Sequence, residues 1–389
     1  MICKMKIKFN LGLMLLICFS AVANNSVAQL ANKVETDNTV PANQGETDTT
    51  GNNAAIIVPA PDVLKNTGIV YDDSGDLQDE VKSGALKTAT KKYTRLYAVG
   101  KLDELMIDNR FGEVKVNTWN RNEFSVEVQV KIYADKQADA QHFLDVVGIS
   151  DKRGEAVVSF KTIIGANGGD NGNVLWKGED KPHLKKIEVN YLVFMPSKNT
   201  LNISNNYGTT VLPDFNGKLI LNSLYGNLTA KKLINPLNSV KLNFGNANIE
   251  AFSGTRLEVL HGSLDLNEGS NFNVSVTYGP ARIGRIYSSA NVDMKFGRQL
   301  RIENIDKSIK TLNVNVAYSS VQVGSITGVN ANCDVSTYYG HLSSNDLNIK
   351  LFSNATPDNA AKSYKGQLGK GNKSRNIVIK TNFGQVNFD

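Results

Sequence analysis

Cysteine is almost missing from this 389-residue chain: of three copies, Cys3 and Cys18 lie in the first residues and Cys333 stands alone beyond them. Once that leader is removed no internal disulfide can form, so the fold has to be held by apolar packing. Cys333 sits two residues before Val335 in an alternating run, which marks it as a small buried hydrophobe rather than a nucleophile. The four histidines, His142, His183, His261 and His341, include no pair at a short ligand spacing, so no metal site is expected. No Gly-x-Ser-x-Gly elbow, phosphate loop or dinucleotide fingerprint occurs. Nor do the acids fall in phase, since Asp265 follows a repeat glycine by three residues while Asp293 and Asp334 precede theirs by four and six. A paired-carboxylate site needs its groups within several ångströms, so these acids, with Glu250, Glu258, Glu268 and Glu303, read as solvated surface charge. No catalytic residue and no cofactor is expected.

The apolar run Leu11 to Phe19 is too short to span a bilayer as a helix. Behind the basic Lys4, Lys6 and Lys8, and ahead of small residues at Ala21-Val22-Ala23 and Val27-Ala28, it reads as an export signal over residues 1–28. A lipid attachment at Cys18 is the weaker reading, because Ile17 is bulky where a small residue is wanted. Loss of the three signal lysines lowers the formal charge from +6 to +3, which disfavours nucleic acid as a partner. Residues 29–92 are expected to be a low-complexity tether, rich at first in Asn, Thr, Gln and Asp and too poor in apolar residues to offset chain entropy. Order is expected from Tyr93.

From there period-two alternation governs the chain. Leu105-x-Ile107, Phe111-Gly112 and Val114-x-Val116 make a strand, a turn and a strand, followed by the alternating run Phe124 to Ile132. Ala138, Phe143, Leu144 and Val147 recur at helical spacing, which predicts one short amphipathic helix over 135–147. Strands are expected at Ala156 to Ile164 and Ile187 to Phe194, flanking a hairpin loop whose Gly165 to Asn173 only vaguely matches a calcium-binding nonapeptide. Residues 93–196 thus form an N-terminal β-rich part.

Residues 197–389 carry a repeat. An aromatic residue followed by glycine returns at Tyr207-Gly208, Tyr225-Gly226, Phe244-Gly245, Tyr278-Gly279, Phe296-Gly297, Tyr339-Gly340 and Phe383-Gly384, with imperfect copies at His261-Gly262 and Tyr318-Ser319. Neighbouring copies lie about 17 to 22 residues apart, and the last interval has room for one more. That interval is too short for a crossover helix, so consecutive coils are expected to stack in parallel. The predicted fold is all-β, a single-stranded parallel β-solenoid (β-helix) of short coils with one small amphipathic helix and a hairpin insertion near the N-terminal end. Glycine suits a corner with positive φ or a close approach by the next coil, and the aromatics, Phe111 included, are expected to stack as a ladder. Strand parity places Tyr278 on the side of Val274 and Val276, hence inward.

Leu102 to Val116, Ile187 to Pro196, Asn205 to Leu212 and Lys365 to Phe388 carry a wider resemblance. Their Asn-x-Phe-Gly-x-Val-x-Val, Ile-x-Val-x-Tyr-x-Val-x-x-Pro, Asn-x-Tyr-Gly and Tyr-x-Gly-x-Leu-Gly-x-Gly strings resemble the putative adhesin family of secreted bacterial proteins, over about residues 93–389. That family is a domain of otherwise unknown function, similar in repeat style to auto-transporter adhesin heads. The resemblance implies a cell-envelope β-solenoid without enzymatic activity; His261 and Ser319 depart from its pattern.

The functional expectation is an exported, non-enzymatic envelope protein acting as adhesin or scaffold, in the periplasm, at the outer-membrane surface or outside the cell. Its partner would be an envelope protein or glycan, with peripheral association to the outer membrane; the sequence leaves its oligomeric state open. The alternatives are a carbohydrate-active β-helix enzyme and an envelope regulatory module that binds protein. One candidate binding tract stands out, Lys362, Lys365, Lys370, Lys373 and Arg375, read as an exposed basic loop.

Overall fold

A computed structural model describes residues 77–165, 184–344, 348–354 and 360–389, all within one compact unit, Ile57–Asp389. The expected signal (1–28), most of the tether (29–76) and the Gly/Asn loop from residue 166 onward lie outside the described residues. The fold is all-β. Helix α1 (Leu77–Ser83) precedes strands β1 (Lys87–Ala98), β2 (Glu104–Arg110), β3 (Val114–Trp119) and β4 (Glu123–Ala134). Helix α2 (Gln137–Val146) leads to β5 (Val147–Arg153), β6 (Val157–Ile164) and β7 (Leu184–Pro196). There follow β8 (Thr200–Asn206), β9 (Thr210–Leu212), β10 (Leu219–Leu224), β11 (Leu228–Leu233) and β12 (Ser239–Asn243). Three long bent strands come next, β13 (Ala247–Leu260), β14 (Leu264–Thr277) and β15 (Ala281–Lys295), then β16 (Gln299–Ile305), β17 (Thr311–Ala317) and β18 (Ser320–Ser325). The chain ends with β19 (Ala331–Tyr338), β20 (Leu342–Ser344), β21 (Asn348–Asn354), β22 (Ala361–Leu368), β23 (Asn376–Asn382) and β24 (Val386–Phe388).

The 24 strands among the described residues join one hydrogen-bonded sheet of mixed orientation, curled round a continuous core into a nearly closed, barrel-like form. Its middle consists of two parallel ladders, because each repeat supplies one arm before its aromatic-glycine corner and one after. One ladder runs β6–β2–β8–β10–β12, through the second halves of β13, β14 and β15, to β17–β23–β19. The other runs β7–β3–β9–β11, through the first halves of the same long strands, to β16–β18–β24–β20. Registry stacks like on like: Ile107, Ile203, Leu221, Val240, Leu257, Val274, Val292, Val314, Ile379 and Val335 occupy successive rungs and are all buried. Each rung covers the apolar face of the next, which no rung could bury alone.

The ends depart from uniform parallel stacking. At one, β4 lies antiparallel on β7 and β1 antiparallel on β4, while β5 lies antiparallel on β6. At the other, β22 is antiparallel to both β19 and β21. Rung order also breaks chain order there, since β23 sits between β17 and β19, and β24 between β18 and β20. The whole molecule is therefore not the uniformly parallel coil stack expected from the repeat.

Among the described residues regular structure is already present at Leu77, ahead of the expected boundary at 92. Strand β1 escaped the apolar-pattern reading because it is an edge strand whose only buried side chain is Ala89; its β-preference comes from Thr88, Thr90, Tyr93 and Thr94. The helix covers 137–146 rather than 135–147, with Ala140, Phe143 and Leu144 buried and Val147 already starting β5. The Lys91 ammonium closes that helix end by donating to the carbonyls of Leu144 (2.6 Å) and Val147.

Candidate functional site: an aromatic strip along the corners

Each repeat corner is an aromatic residue in the left-handed region followed by a residue pressed against the rung beneath. Twelve non-glycine residues among those described have positive φ, and ten are corner rings: Phe111, Tyr207, Tyr225, Phe244, His261, Tyr278, Phe296, Tyr318, Tyr339 and Phe383, at φ 50–65°. Nine of the ten are followed by glycine, the exception being Tyr318 with Ser319, and close packing between rungs explains the glycine. A Cβ on Gly279 would fall 1.7 Å from the Gly262 carbonyl oxygen, and one on Gly245 1.9 Å from that of Gly226. Positive φ and close approach were both foreseen for the glycine; they are divided between two residues.

This division overturns the inward placement of the rings. A strand alternates sides only while its backbone stays extended, and one left-handed residue breaks the parity. Tyr278 therefore points out although Val274 and Val276 point in, and it is 50% exposed; Phe296, Tyr318, Tyr339 and Phe383 are similarly exposed, at 44–52%. Outside the core the rings still form one continuous stack. Phe111–Tyr207 and Tyr207–Tyr225 centroids lie 5.3 Å apart, Tyr225–Phe244 4.7 Å, Phe244–His261 4.7 Å and His261–Tyr278 4.6 Å. The series continues through Phe296 (5.3 Å), Tyr318 (5.1 Å), Phe383 (5.0 Å) and Tyr339 (5.0 Å), with every pair within 13° of parallel. His261, an imperfect copy by sequence, is thus a full member.

Energetically the stack is close to balanced. A left-handed L-residue costs roughly 1–2 kcal/mol, and each stacked pair returns about 0.5–1.5 kcal/mol beyond area burial. The remaining positive-φ residues, Asn271 and Ser288, stand at other bends, where no ring is kept.

Corner chemistry also has an inner side. Two residues before the ring, Asn109, Ser223, Thr337 and Thr381 donate to the carbonyl of the following glycine at 3.1–3.3 Å, holding the turn from within. Asn205 donates to the Gly112 and Thr209 carbonyls and accepts from Asn109. Middle rungs carry Leu242, Val259, Val276, Met294 and Val316 at this position, all buried. The sequence displayed this polar-x-aromatic-Gly string in its Asn-x-Phe-Gly and Asn-x-Tyr-Gly motifs, but not that the polar side chain bonds the glycine carbonyl. Ser319, standing in a glycine position, accepts from the Gly297 N–H (2.8 Å) and donates to the Gly297 carbonyl (2.7 Å) through Oγ.

The basic tract does not gather into one loop. Lys362 and Lys365 lie on β22, on alternate faces, while Lys370 and Lys373 follow in the turn and Arg375 donates to the Lys307 carbonyl. Sequence reasoning missed β22 because the side that pairs with the buried residues of β19 presents Lys362, Tyr364, Gly366 and Leu368, which is no apolar alternation. Lys362 borders a shallow depression of about 260 Å³ with Ser336, Tyr338 and Lys380.

On the sheet surfaces, charges pair with each other. The Arg282 guanidinium bridges Asp265 (2.6 Å) and Glu303 (2.8 Å), and those bonds hold the arginine pKa up; the same arginine holds the Glu303 carboxyl below its usual value. Burial pushes the Cys333 thiol up to about 12. His261 and His341 are separated by the rungs of Tyr278, Phe296, Tyr318 and Phe383. Among the described residues no group of three or more His, Cys, Asp or Glu is placed to hold a metal, and no helix is long and apolar enough to cross a membrane.

No family model and no curated protein matches the chain. Among solved structures it is similar to a putative adhesin from Parabacteroides distasonis, at 12% identity over 77% of this chain and 97% of that one, with a TM-score of 0.34. A putative adhesin from Parabacteroides merdae is similar at 11% identity over 77% and 96%, TM-score 0.34. So is a putative lipid binding protein from Parabacteroides distasonis, at 12% over 77% and 96%, TM-score 0.31. Likeness at this level decides neither the family nor the activity of the chain.

Proposed function

We propose that this chain is an exported, non-enzymatic β-solenoid whose long sides serve adhesion or scaffolding at a bacterial cell envelope. The observation that carries the reading is the uninterrupted stack from Phe111 to Tyr339, which runs beside a continuous core. A stack of this kind holds a rigid, periodic surface, and a rigid surface loses little conformational entropy when it binds. The polar groups of the sheet faces support the same reading, because they bond along the ladders rather than converging on a cleft. Asn291 donates to Asn273 (2.7 Å), Asn313 to Asn291 (2.8 Å) and Asn315 to Asp293 (3.0 Å). The leader read at residues 1–28 supplies the route out of the cytoplasm.

The test is location and contact. Fractionation of the native host should recover the mature chain in the envelope or the medium, and fluorescently labelled purified protein should coat envelope preparations saturably. Recovery in the cytoplasm, or no saturable coating, sinks the reading.

A further inference from the structure

The corner strip has an unusual surface chemistry. Ring faces are covered by neighbouring rings, so what meets solvent is a row of ring edges and phenol hydroxyls. Among the described residues, the Tyr207, Tyr225 and Tyr278 hydroxyls make no hydrogen bond. Beside the rings runs a line of short polar side chains. The Asn227 amide oxygen accepts the Asn246 N–H (2.8 Å), and the Asn246 oxygen accepts the Ser263 N–H (3.0 Å) and hydroxyl (2.8 Å). Both amide oxygens are thereby occupied, which leaves the Nδ2 groups of Asn227 and Asn246 as donors unused by the described protein.

No residue within two positions of these corner rings carries a formal charge. From Tyr207 to Tyr278 the residues flanking each corner are Asn, Thr, Leu, Ser and Pro, in a chain that is 21% charged overall. Formal charges return beside the strip at Arg110 and Glu113 on one side and at Lys295 and Arg298 on the other. A neutral surface that repeats every 4.6–5.3 Å suits a partner that is itself neutral, periodic and rich in hydroxyls. A polyanion would meet cations only at the two ends of the strip, Arg110 on one side and Lys295 and Arg298 on the other, and none along its middle.

The geometry points to the strip from Tyr207 to Tyr278 as a binding track for an extended neutral polysaccharide lying along the stack axis, its hydroxyls meeting the tyrosine hydroxyls and the Asn227 and Asn246 amides. One pyranose unit is about as long as one rung, so weak contacts repeat in step and add along the chain. This inference rests on the adhesin reading and names its ligand class.

Native gel retardation tests it with three soluble neutral polymers, hydroxyethylcellulose, xyloglucan and galactomannan, alongside polygalacturonate and phosphatidylcholine vesicles. At least one neutral polymer should retard the full chain, equally at low and high salt. The triple variant Tyr207→Phe, Tyr225→Phe, Tyr278→Phe keeps every ring, so its melting midpoint should hold while its affinity falls about tenfold or more. The inference is overturned if no neutral polymer retards the protein, if the triple variant binds as well as the parent, or if only polygalacturonate or vesicles bind. Triple-variant protein that still coats envelopes as the parent does sinks the polysaccharide track and leaves the adhesin reading standing; failure of the parent to coat them sinks both.

Discussion

The carbonyl oxygen of Gly262 occupies the space where a side chain on Gly279 would begin: a Cβ there would lie 1.7 Å from it. Two backbones in adjacent rungs touch at this point, and neither can move without shifting the rungs around it. Gly279→Ala is expected to destabilise the protein by about 3 kcal/mol, the upper range for overpacking. Gly100, where an added Cβ would meet nothing within 4 Å, is the control, and Gly100→Ala should change stability by less than about 0.5 kcal/mol. Equal denaturant midpoints for the two variants would show that the rungs are not packed as described.

Tyr278 tests the balance between strain and stacking. Replacement by alanine removes two ring contacts, to His261 and Phe296, while the residue stays at φ 58°. A loss of about 1–3 kcal/mol is expected. Asparagine tolerates the left-handed region, so Tyr278→Asn should lose less than Tyr278→Ala. If alanine costs nothing, the stack contributes no stability; if asparagine and alanine are equal, the strain at this corner is negligible.

Asp151 is the clasp of the N-terminal end. Its two carboxylate oxygens accept from the hydroxyls of Tyr93 and Tyr97 on β1, and Arg95 Nε lies 3.3 Å away. Burial by itself would raise the carboxyl, but those two hydrogen bonds and the arginine outweigh it and hold the pKa below its ordinary value. A carboxyl lowered on folding contributes stability that is present above its unfolded pKa near 4 and lost as pH falls through the folded value. Tyr93 has the opposite sign. Burial, then the Asp151 contact, push its phenol up to about 12, so its contribution is present below about 10 and lost between there and about 12. Asp151→Asn should flatten the acid limb of a stability–pH profile and Tyr93→Phe the alkaline limb. An acid limb unchanged in Asp151→Asn would place the relevant protonation elsewhere.

How much of this was legible in the sequence divides along physical lines. Alternation such as Phe272-x-Val274-x-Val276 and the regular ring-glycine interval announced strands, corners and stacking, because burial and close approach restrict which residues fit. Ring direction was hidden, since a period-two pattern assumes extended backbone and Tyr278 is not extended. Strand β5 was hidden because Val147 read as the last residue of the helix and no other residue of the strand is fully buried. Asn109 and Asn205 stood out only as the first letters of two Asn-x-aromatic-Gly strings, and nothing local announced that both are fully buried and hydrogen-bonded to each other. Insertion of β23 beside β17 left no local trace at all: it is a choice between two equally apolar partners, made by registry over many residues.

That insertion makes the strongest prediction. Strand β23 bonds in parallel to β17 on one side and β19 on the other, and β24 does the same with β18 and β20, so the last residues of the chain form an interior rung. Ile377, Ile379, Val386 and Phe388 are buried there, and Phe383 carries the ring stack from Tyr318 to Tyr339. Ending the chain at Arg375 would uncover β17 and β18 and detach β19 to β22 from the rungs below. Each lost side chain is worth about 1.5–3 kcal/mol of burial, so a fall of several kcal/mol and dye-detectable apolar surface are expected. A synthetic peptide spanning Asn376 to Asp389, supplied in excess, should restore part of the melting midpoint, because the vacated slot presents paired edges on both sides. A fringe strand removed from outside the stack would behave differently, leaving a chain that melts as before and ignores the peptide. That result would place β23 and β24 at an end of the stack instead of within it.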